Sequence, residues 1–271
     1  MTETEYRQAE GLSGNSLKWL FKSPAHYLHN KLNPKEPTPA QIFGTLCHKA
    51  VLQFDDFFND YAIFDENELI DWSLCRNKDG SESKVKRNTE YYKGEIAKFH
   101  VDNAGKILIT NDDYTKAINI RKAVQNSKSA MGYLQGGVAE KAIFWDYGGV
   151  KCKGLLDKVN NAIIDIKTTV NAQPYAFAKT IFDNGYHLQL SHYQLGYKIL
   201  YGKELPVVFI AIESEPPFGL GVYRMSQDAL DLGLATNESL YKTYAECEKT
   251  GIWTAYRDSV EEIDLPLYAY S

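Results

Sequence analysis

The chain has 271 residues, of which 44% are hydrophobic and 24% charged, and this is the composition of an ordinary globular protein. Its four cysteines lie far apart without a C-x-x-C pair, which argues against the common zinc and iron–sulfur motifs and against a disulfide scaffold. The formal net charge of −5 argues mildly against nucleic acid as a partner, although a local cluster of basic residues is compatible with it.

The N-terminal segment MTETEYRQAEGLSGNS is polar and has no hydrophobic signal region. No stretch of the sequence approaches the ~20 apolar residues that a membrane-spanning helix needs. Scattered, unpaired cysteines are typical of the reducing cytoplasm. The sequence therefore predicts a soluble, cytoplasmic protein without a membrane partner.

The first predicted helical region covers residues 16–31, where leucines and aromatic residues recur at helical spacing. Ser13 or Asn15 is the expected N-cap, because a short polar side chain can accept a hydrogen bond from the first free backbone N–H groups. Pro24 interrupts the pattern, since proline lacks a backbone donor and clashes with the preceding turn. The pattern predicts two short helices that meet at Ser23-Pro24.

A proline-rich connector, NPKEPTPA, leads to a second helical pattern in QIFGTLCHKAVLQF. Residues 71–95 are polar and rich in lysine, with little periodicity, and predict an exposed loop that becomes helical near its end. A short strand in KILI then precedes an Asn/Asp cap and a helix from about Asp112 to Asn126.

Three β-rich segments follow, AEKAIFWDY, VKCKGLLDKV and NAIIDIKTT. Gly148-Gly149 and Asn160-Asn161 separate them, and both pairs are typical turn sequences. The segments are therefore predicted to be successive strands connected by hairpins.

A helix is predicted in YHLQLSHYQLGYKILYG, followed by strands in PVVFIAIES and FGLGVYRM. A C-terminal helix is predicted from about Ser226 to Thr250, before a short tail, EEIDLPLYAYS. The order of helices, strands, a helix, more strands and a closing helix predicts an α/β (mixed α+β) fold, in which helices flank a central mixed β-sheet.

No internal repeat or clear linker divides the chain, and we expect a single domain over residues 1–271. Its predicted parts are a mainly helical N-terminal portion at 1–135, a sheet core at 136–225, and the C-terminal helix and tail at 226–271.

The most specific chemical signal is GLLDKVNNAIIDIKTT. Asp165 and Lys167 are two residues apart on one predicted strand, so their side chains point to the same face, and a hairpin would bring Asp157 beside them. Charged groups on a mostly apolar strand are costly unless they serve a purpose, and Mg²⁺ binding by carboxylates is such a purpose. A D-x-K sequence by itself is more often an ordinary salt bridge on an exposed strand, but the isoleucines around it favour the metal site.

Asp157…Asp165-Ile166-Lys167 resembles the D…(D/E)-x-K signature of the PDDEXK, or restriction-endonuclease-like, nucleases. Within that superfamily the chain is similar to the RecE-type (exonuclease VIII-like) phage recombination nucleases, which share features with the RecB nuclease domain. The resemblance runs from near residue 12 to about residue 197, with a weaker likeness in the tail WTAYRDSVEEIDLPLYAY. Its segments, in the expected order, are LSGNSLKWLFKSPAHYLHNK, FGTLCHKAVL, DKVNNAIIDIKTT and YHLQLSHYQLGY. It implies a restriction-endonuclease-like core.

The resemblance also implies a metal site formed by His48, Asp157, Asp165 and the backbone carbonyl of Ile166. Lys167 would position the attacking water or help to deprotonate it. For a histidine in the middle of a helix, the ordinary interpretation is a hydrogen-bonded core residue, and only the accompanying motifs favour a metal ligand.

Three further residues correspond to family positions. The acidic residue that precedes the first core strand falls at Glu140, which is a looser match. Gln189 and Tyr193 match a Gln-x-x-x-Tyr element and share one face of their helix, where both can hydrogen-bond to phosphate oxygens. An ordinary amphipathic face is the alternative for this pair.

Additional basic residues are ambiguous. Some lie in the extended loop and others on the strand that leads to Asp157. Each of them contacts either a phosphate backbone or solvent. These residues are Lys78, Lys84, Lys86, Arg87, Lys93, Lys151 and Lys153.

The function implied by the resemblance is a Mg²⁺-dependent deoxyribonuclease, with Mn²⁺ as the alternative ion. It would digest double-stranded DNA ends from 5′ to 3′ and leave 3′ single-stranded tails for phage-type recombination. Such enzymes commonly form homo-oligomeric rings and cooperate with a single-strand annealing protein. Three alternatives stay open: an endonuclease or single-strand nuclease with the same site, a non-catalytic DNA-binding subunit of the same fold, and an unrelated metal-binding or carbohydrate-active enzyme with an incidental D-x-K.

Overall fold

The computed structural model describes residues 3–265, which form helices α1–α12 and strands β1–β7. The helices are α1 Glu3–Gln8, α2 Gly14–Lys22, α3 Pro24–Leu32, α4 Pro39–Leu52, α5 Phe57–Asp60, α6 Glu66–Leu69, α7 Glu90–Asp102, α8 Asn111–Asn126, α9 Lys128–Leu134, α10 Pro174–Asp183, α11 Tyr186–Tyr201 and α12 Gln227–Thr250. The strands are β1 Tyr61–Ile63, β2 Ile107–Ile109, β3 Val138–Tyr147, β4 Val150–Val159, β5 Ile163–Thr169, β6 Val207–Glu213 and β7 Leu220–Arg224. The domain limits predicted at residues 1 and 271, and the end of the predicted C-terminal tail, lie outside the described residues. Within the described part of the chain, no helix has the length and apolar character that a membrane crossing requires.

A five-stranded sheet in the order β3-β4-β5-β6-β7 forms the centre of the fold. Neighbouring strands are antiparallel except for β5 and β6. These two run parallel, and α10 and α11 form the crossover between them. The predicted mixed sheet with flanking helices is therefore confirmed. The short strand predicted in KILI is confirmed as β2, but the sequence did not predict that it pairs in parallel with β1 in a separate sheet, and both strands are only three residues long.

Hydrophobic cores lie on both faces of this sheet. In the first core, on one face, buried side chains of α2, α3, α11 and α12 pack against the strands. In the second core, on the other face, buried side chains of α4, α8 and α9 do so. Because side chains alternate along a strand, Ile163 of β5 contributes to the first core, while Ile164 and Ile166 contribute to the second. Asp165 and Lys167 consequently face the first core, on the side of α2 and α11.

Side-chain caps set the boundaries of the N-terminal helices. Ser13, the first of the two predicted caps, begins α2. Ser23 ends α2 and caps α3, and Pro24 occupies the first turn of α3, where it has no N–H to leave unpaired. The two predicted helices are thus confirmed. Helix α4 begins earlier than predicted, inside the proline-rich connector, because Thr38 and Gln41 form a reciprocal capping box.

Lys153 has a structural environment that neither of its two predicted alternatives describes. It is buried, and its Nζ donates to the backbone carbonyls of Tyr6, Arg7 and Ala9 at 3.0, 3.3 and 2.6 Å. These carbonyls lie at the C-terminal end of α1 and beyond it, where backbone acceptors lack partners within the helix. Lys153 therefore anchors α1 to β4 and is buried from solvent, whereas Lys151 is exposed.

Candidate active site

The candidate site lies where β4 and β5 separate. The two strands pair at Lys158–Ile164 and Val159–Ile163, as the predicted hairpin requires. At the next position, Asp157 and Asp165 would face each other, but the backbone pairing has ended. Instead, the Asp157 carboxylate accepts a hydrogen bond from the Ile166 N–H at 2.7 Å. A side chain thus replaces a ladder bond, and the gap between the strands opens toward α4.

His48 reaches this gap from α4. The helix is fixed by its buried residues Leu46, Cys47 and Ala50, which pack in the second core. The His48 Nε2 lies 2.7 Å from the carbonyl oxygen of Ile166, and its Nδ1 lies 3.5 Å from Asp157 Oδ2. A carbonyl can only accept, so Nε2 carries the proton in this contact. Three of the residues predicted from the sequence to form the metal site are therefore in contact.

Glu140 belongs to the same group. The register of β3 against β4 places it opposite Asp157, and one ligand atom each from His48, Glu140 and Asp157 lie within 4.8 Å of one another. The backbone of Glu140 has a φ of 48°, in the left-handed region that non-glycine residues seldom adopt. Such a conformation costs about 1–3 kcal/mol and is often found at functional sites. The observed strain is consistent with a side chain held in place for a purpose.

Asp165 and Lys167 form an ion pair beside this group. Lys167 Nζ lies 2.6 Å from Asp165 Oδ2, and Asp165 is 2% exposed. Burial raises the pKa of Asp165, while the Lys167 charge opposes that rise. Burial lowers the pKa of Lys167, but the charges of Asp165 and then Asp157 outweigh it, and the net pKa is raised. Asp165 is adjacent to Asp157 in the strand register, yet it does not belong to the group of three within 4.8 Å.

Gln189 and Tyr193 lie on one face of α11, above the sheet. Gln189 Nε2 donates to the Tyr193 hydroxyl oxygen at 3.0 Å. The Tyr193 ring packs directly on Gly154 of β4, where a Cβ would lie only 2.8 Å from Cδ1 of the ring. Glycine at this position therefore allows α11 to approach the sheet closely enough to bring the pair toward the carboxylates.

The sequence interpretation missed Lys18 and Tyr186. Lys18 Nζ donates to Gln189 Oε1 at 3.1 Å and lies 4.6 Å from the centre of the Tyr186 ring. Lys167 Nζ lies 5.0 Å from the same ring centre. Lys18 follows the buried Leu17 at the edge of the apolar stripe of α2. This position was the only feature of the sequence that could have indicated a partly buried lysine.

The donors in the gap suit a hard divalent cation. His48 offers an imidazole nitrogen, Glu140 and Asp157 offer carboxylate oxygens, and Ile166 offers a backbone carbonyl. Mg²⁺ and Mn²⁺ prefer carboxylate and carbonyl oxygens, which supply three of these four donors, whereas soft metals prefer thiolates. The residues present therefore fit the ion that the sequence resemblance implies.

Comparison with known proteins gives one family and one fold. The model of a family described as a PDDEXK-like domain of unknown function (DUF3799) matches residues 13–266. A crystal structure of a protein from Eubacterium rectale, provisionally named an exonuclease, matches with a TM-score of 0.64 and 14% identity, over 100% of this chain and 98% of the other. At that identity the likeness shows the fold alone. No curated protein sequence matches the chain.

Proposed function

Because the chain belongs to the family of PDDEXK-like domains of unknown function (DUF3799), we propose that it is a divalent-metal-dependent deoxyribonuclease. One observation carries this proposal. Ligand atoms of His48, Glu140 and Asp157 converge within 4.8 Å, beside the buried ion pair of Asp165 and Lys167. Two of these residues come from adjacent strands, and the imidazole comes from a helix on the opposite face of the sheet from α11. The three residues are only partly buried, so a cation can reach them from solvent.

The proposed metal ligands are His48, Asp157, Asp165 and the carbonyl of Ile166. We add Glu140 to this set because its carboxylate lies within 4.8 Å of ligand atoms of His48 and Asp157. When bound, Mg²⁺ or Mn²⁺ supplies polarisation of the scissile phosphate and a lower pKa for a bound water. The protein contributes the positions of the donors. The hydrogen bond from the Ile166 N–H fixes the Asp157 carboxylate, and the packing of α4 fixes the imidazole.

Lys167 is the proposed catalytic cation. Its ammonium group is held at 2.6 Å by Asp165, and the neighbouring carboxylates raise its pKa. It therefore keeps its proton at neutral pH. Of the two roles that the sequence allows, this favours positioning the attacking water and offsetting charge on the phosphate over removing a proton from that water.

The proposed substrate is an end of double-stranded DNA, digested from 5′ to 3′ to leave 3′ single-stranded tails for recombination. The motifs that resemble those of RecE-type nucleases support this choice, and the provisional name of the Eubacterium rectale protein supports the exonuclease class alone. The same resemblance supports a homo-oligomeric ring and a single-strand annealing protein as partner. A ring would keep the enzyme on the DNA, since a closed ring cannot leave sideways.

The decisive experiment offers the protein linear duplexes labelled at the 5′ or the 3′ end, closed and nicked circles, and single strands, each with Mg²⁺, Mn²⁺ or EDTA. We expect early release of the 5′ label, long fragments that keep the 3′ label, intact closed circles, and no cleavage in EDTA. Cleavage of closed circles would instead identify an endonuclease, and cleavage of single strands alone a single-strand nuclease. Binding without cleavage in any metal would identify a non-catalytic subunit.

A further inference from the structure

Lys18 places its side-chain amine in an enclosed position with neutral partners. Its ammonium donates to the amide oxygen of Gln189 at 3.1 Å and lies over the Tyr186 ring at 4.6 Å. Within residues 3–265, no carboxylate forms an ion pair with it. A partly buried cation without a counter-ion is unfavourable, because neither an amide nor a ring face replaces lost hydration fully.

The position of Lys18 is fixed by the packing of α2 against the start of α11. Leu17 and Leu20 are buried and hold α2 in the first core. The side-chain stem of Lys18 passes beside Gly185, where a Cβ would lie 3.2 Å from its Cγ and where the φ of 62° favours glycine. The ammonium group is therefore held in place before any ligand arrives.

The charge of Lys18 is close to that of the proposed catalytic lysine. Lys167 Nζ lies 5.0 Å from the centre of the Tyr186 ring, the same ring that Lys18 contacts. Burial, followed by the Lys167 charge, lowers the pKa of Lys18 to about 7, and Asp165 only partly opposes this. Asp165 already pairs with Lys167. An additional anion is thus what this side of the site lacks.

We propose that Lys18 binds a phosphate oxygen of the nucleic-acid strand next to the cleavage position. The inference rests on the proposed nuclease function and adds a substrate-binding residue to it. Gln189 hydrogen-bonds both Lys18 and Tyr193, and in this way it orients the Lys18 ammonium toward the nucleic-acid strand. A phosphate oxygen supplies the negative charge and the strong hydrogen bond that the neutral partners do not.

The test compares Lys18→Met, Lys18→Gln and Lys18→Arg with Lys22→Met, a matched control at an exposed lysine of the same helix. Binding of a fluorescein-labelled duplex is measured by anisotropy in EDTA, so that cleavage does not interfere, over a series of salt concentrations. We expect the Kd of Lys18→Met to rise about tenfold, the scale of one charged hydrogen bond. The slope of log K against log salt should fall by about one, as for one lost phosphate contact.

Lys18→Arg keeps the charge and should stay within about threefold of the wild-type Kd, and Lys22→Met within about twofold. Thermal unfolding of the same proteins separates a binding role from a structural one. Removal of a cation without a counter-ion should leave the Tm of Lys18→Met unchanged or raise it. If Lys18 only supported the fold through Gln189, its removal would lower the Tm and leave the salt slope unchanged. Lys18→Gln provides the same comparison if the methionine variant does not fold.

An unchanged Kd and salt slope in Lys18→Met and Lys18→Gln would overturn the proposal, and so would a wild-type protein that binds no duplex. A wild-type protein that binds duplex but cleaves no DNA would overturn the proposed nuclease function alone. In that case the binding series still decides the role of Lys18, because its readout does not depend on cleavage.

Discussion

Asp157 contacts both the backbone of β5 and the side chain of His48. Its Oδ2 accepts the Ile166 N–H at 2.7 Å and lies 3.5 Å from His48 Nδ1. Removal of the side chain would leave the Ile166 N–H without its acceptor where β4 and β5 separate, so Asp157→Ala would disturb the strand as well as the site. Asp157→Asn keeps an acceptor oxygen at this position while it removes the charge, and is therefore the better probe of the proposed metal site.

Lys167→Ala tests the proposed catalytic cation. We expect cleavage of end-labelled linear duplex with Mg²⁺ to fall by at least about 100-fold, the scale of losing one positioned catalytic group. The fold should persist, because the Asp165 carboxyl, whose pKa burial already raises, can take up a proton once its partner is gone. The measurement is the initial rate, with circular dichroism to check the fold.

The matched control is Lys203→Ala, an exposed lysine between α11 and β6. It should cleave at the wild-type rate. Wild-type activity in a folded Lys167→Ala protein would remove Lys167 from the proposed mechanism.

Helix α11 connects the site to the rest of the fold. It carries Tyr186, Gln189 and Tyr193 over β4 and β5. Its His192 is fully buried between the helix and the sheet. The His192 Nε2 donates to the backbone carbonyl of Lys153 at 3.1 Å, and its Nδ1 accepts from the Tyr241 hydroxyl at 2.7 Å. A neutral imidazole thus ties α11 to β4 and α12, and it can form both bonds only in one tautomer.

The stability of this helix contact should depend on pH. Burial lowers the pKa of His192 to about 4, below the usual value of about 6.5. Between these values the unfolded chain binds a proton at this position and the folded chain does not. The contribution of His192 is therefore fully present above about pH 6.5 and is lost as the pH falls toward 4, for a total of about 3 kcal/mol.

Chemical denaturation of the wild type and of His192→Gln between pH 4 and pH 7 measures this contribution. The variant should be less stable at pH 7, and its free energy of unfolding should fall less steeply with decreasing pH. Carboxylates contribute equally to both proteins, so the difference between the two slopes isolates the histidine. Parallel slopes would contradict the assignment of a neutral, buried His192.

At the scale of the whole molecule, the sheet holds the site between two cores. Helix α4 brings His48 from one side, while α2 and α11 bring Lys18 and Gln189 from the other. The proposed metal ligands and the proposed phosphate-binding residue are therefore assembled only when both cores have formed. A cation that binds the folded chain and not the unfolded one must stabilise the folded chain.

Added Mn²⁺ or Mg²⁺ should consequently raise the Tm by several degrees. At a concentration about 100 times the Kd, ligand binding contributes about 2.7 kcal/mol. Differential scanning fluorimetry with and without each metal makes the measurement, and Asp157→Asn should lose most of the shift. An equal shift in Asp157→Asn would place the bound ion elsewhere.

Local physical rules were sufficient to predict many features from the sequence. Alternating apolar residues and turn pairs predicted β3, β4 and β5, and the Ser23-Pro24 sequence predicted the break between α2 and α3. The two-residue spacing of Asp165 and Lys167 placed both on one face of β5. The resemblance to PDDEXK nucleases agrees with the family of the chain, while the roles of individual residues stay predictions.

The resemblance predicted that His48 meets Asp157 and the Ile166 carbonyl, but only the tertiary structure decided how these and the other distant groups come together. The register of β3 on β4 brings Glu140 opposite Asp157, and the packing of α4 brings His48 to the Ile166 carbonyl. The environments of Lys18 and Lys153 also depend on elements more than a hundred residues away in sequence. Local propensity specifies how a segment folds, but the distance between segments is set by how their apolar faces pack, and no short window of sequence contains that information.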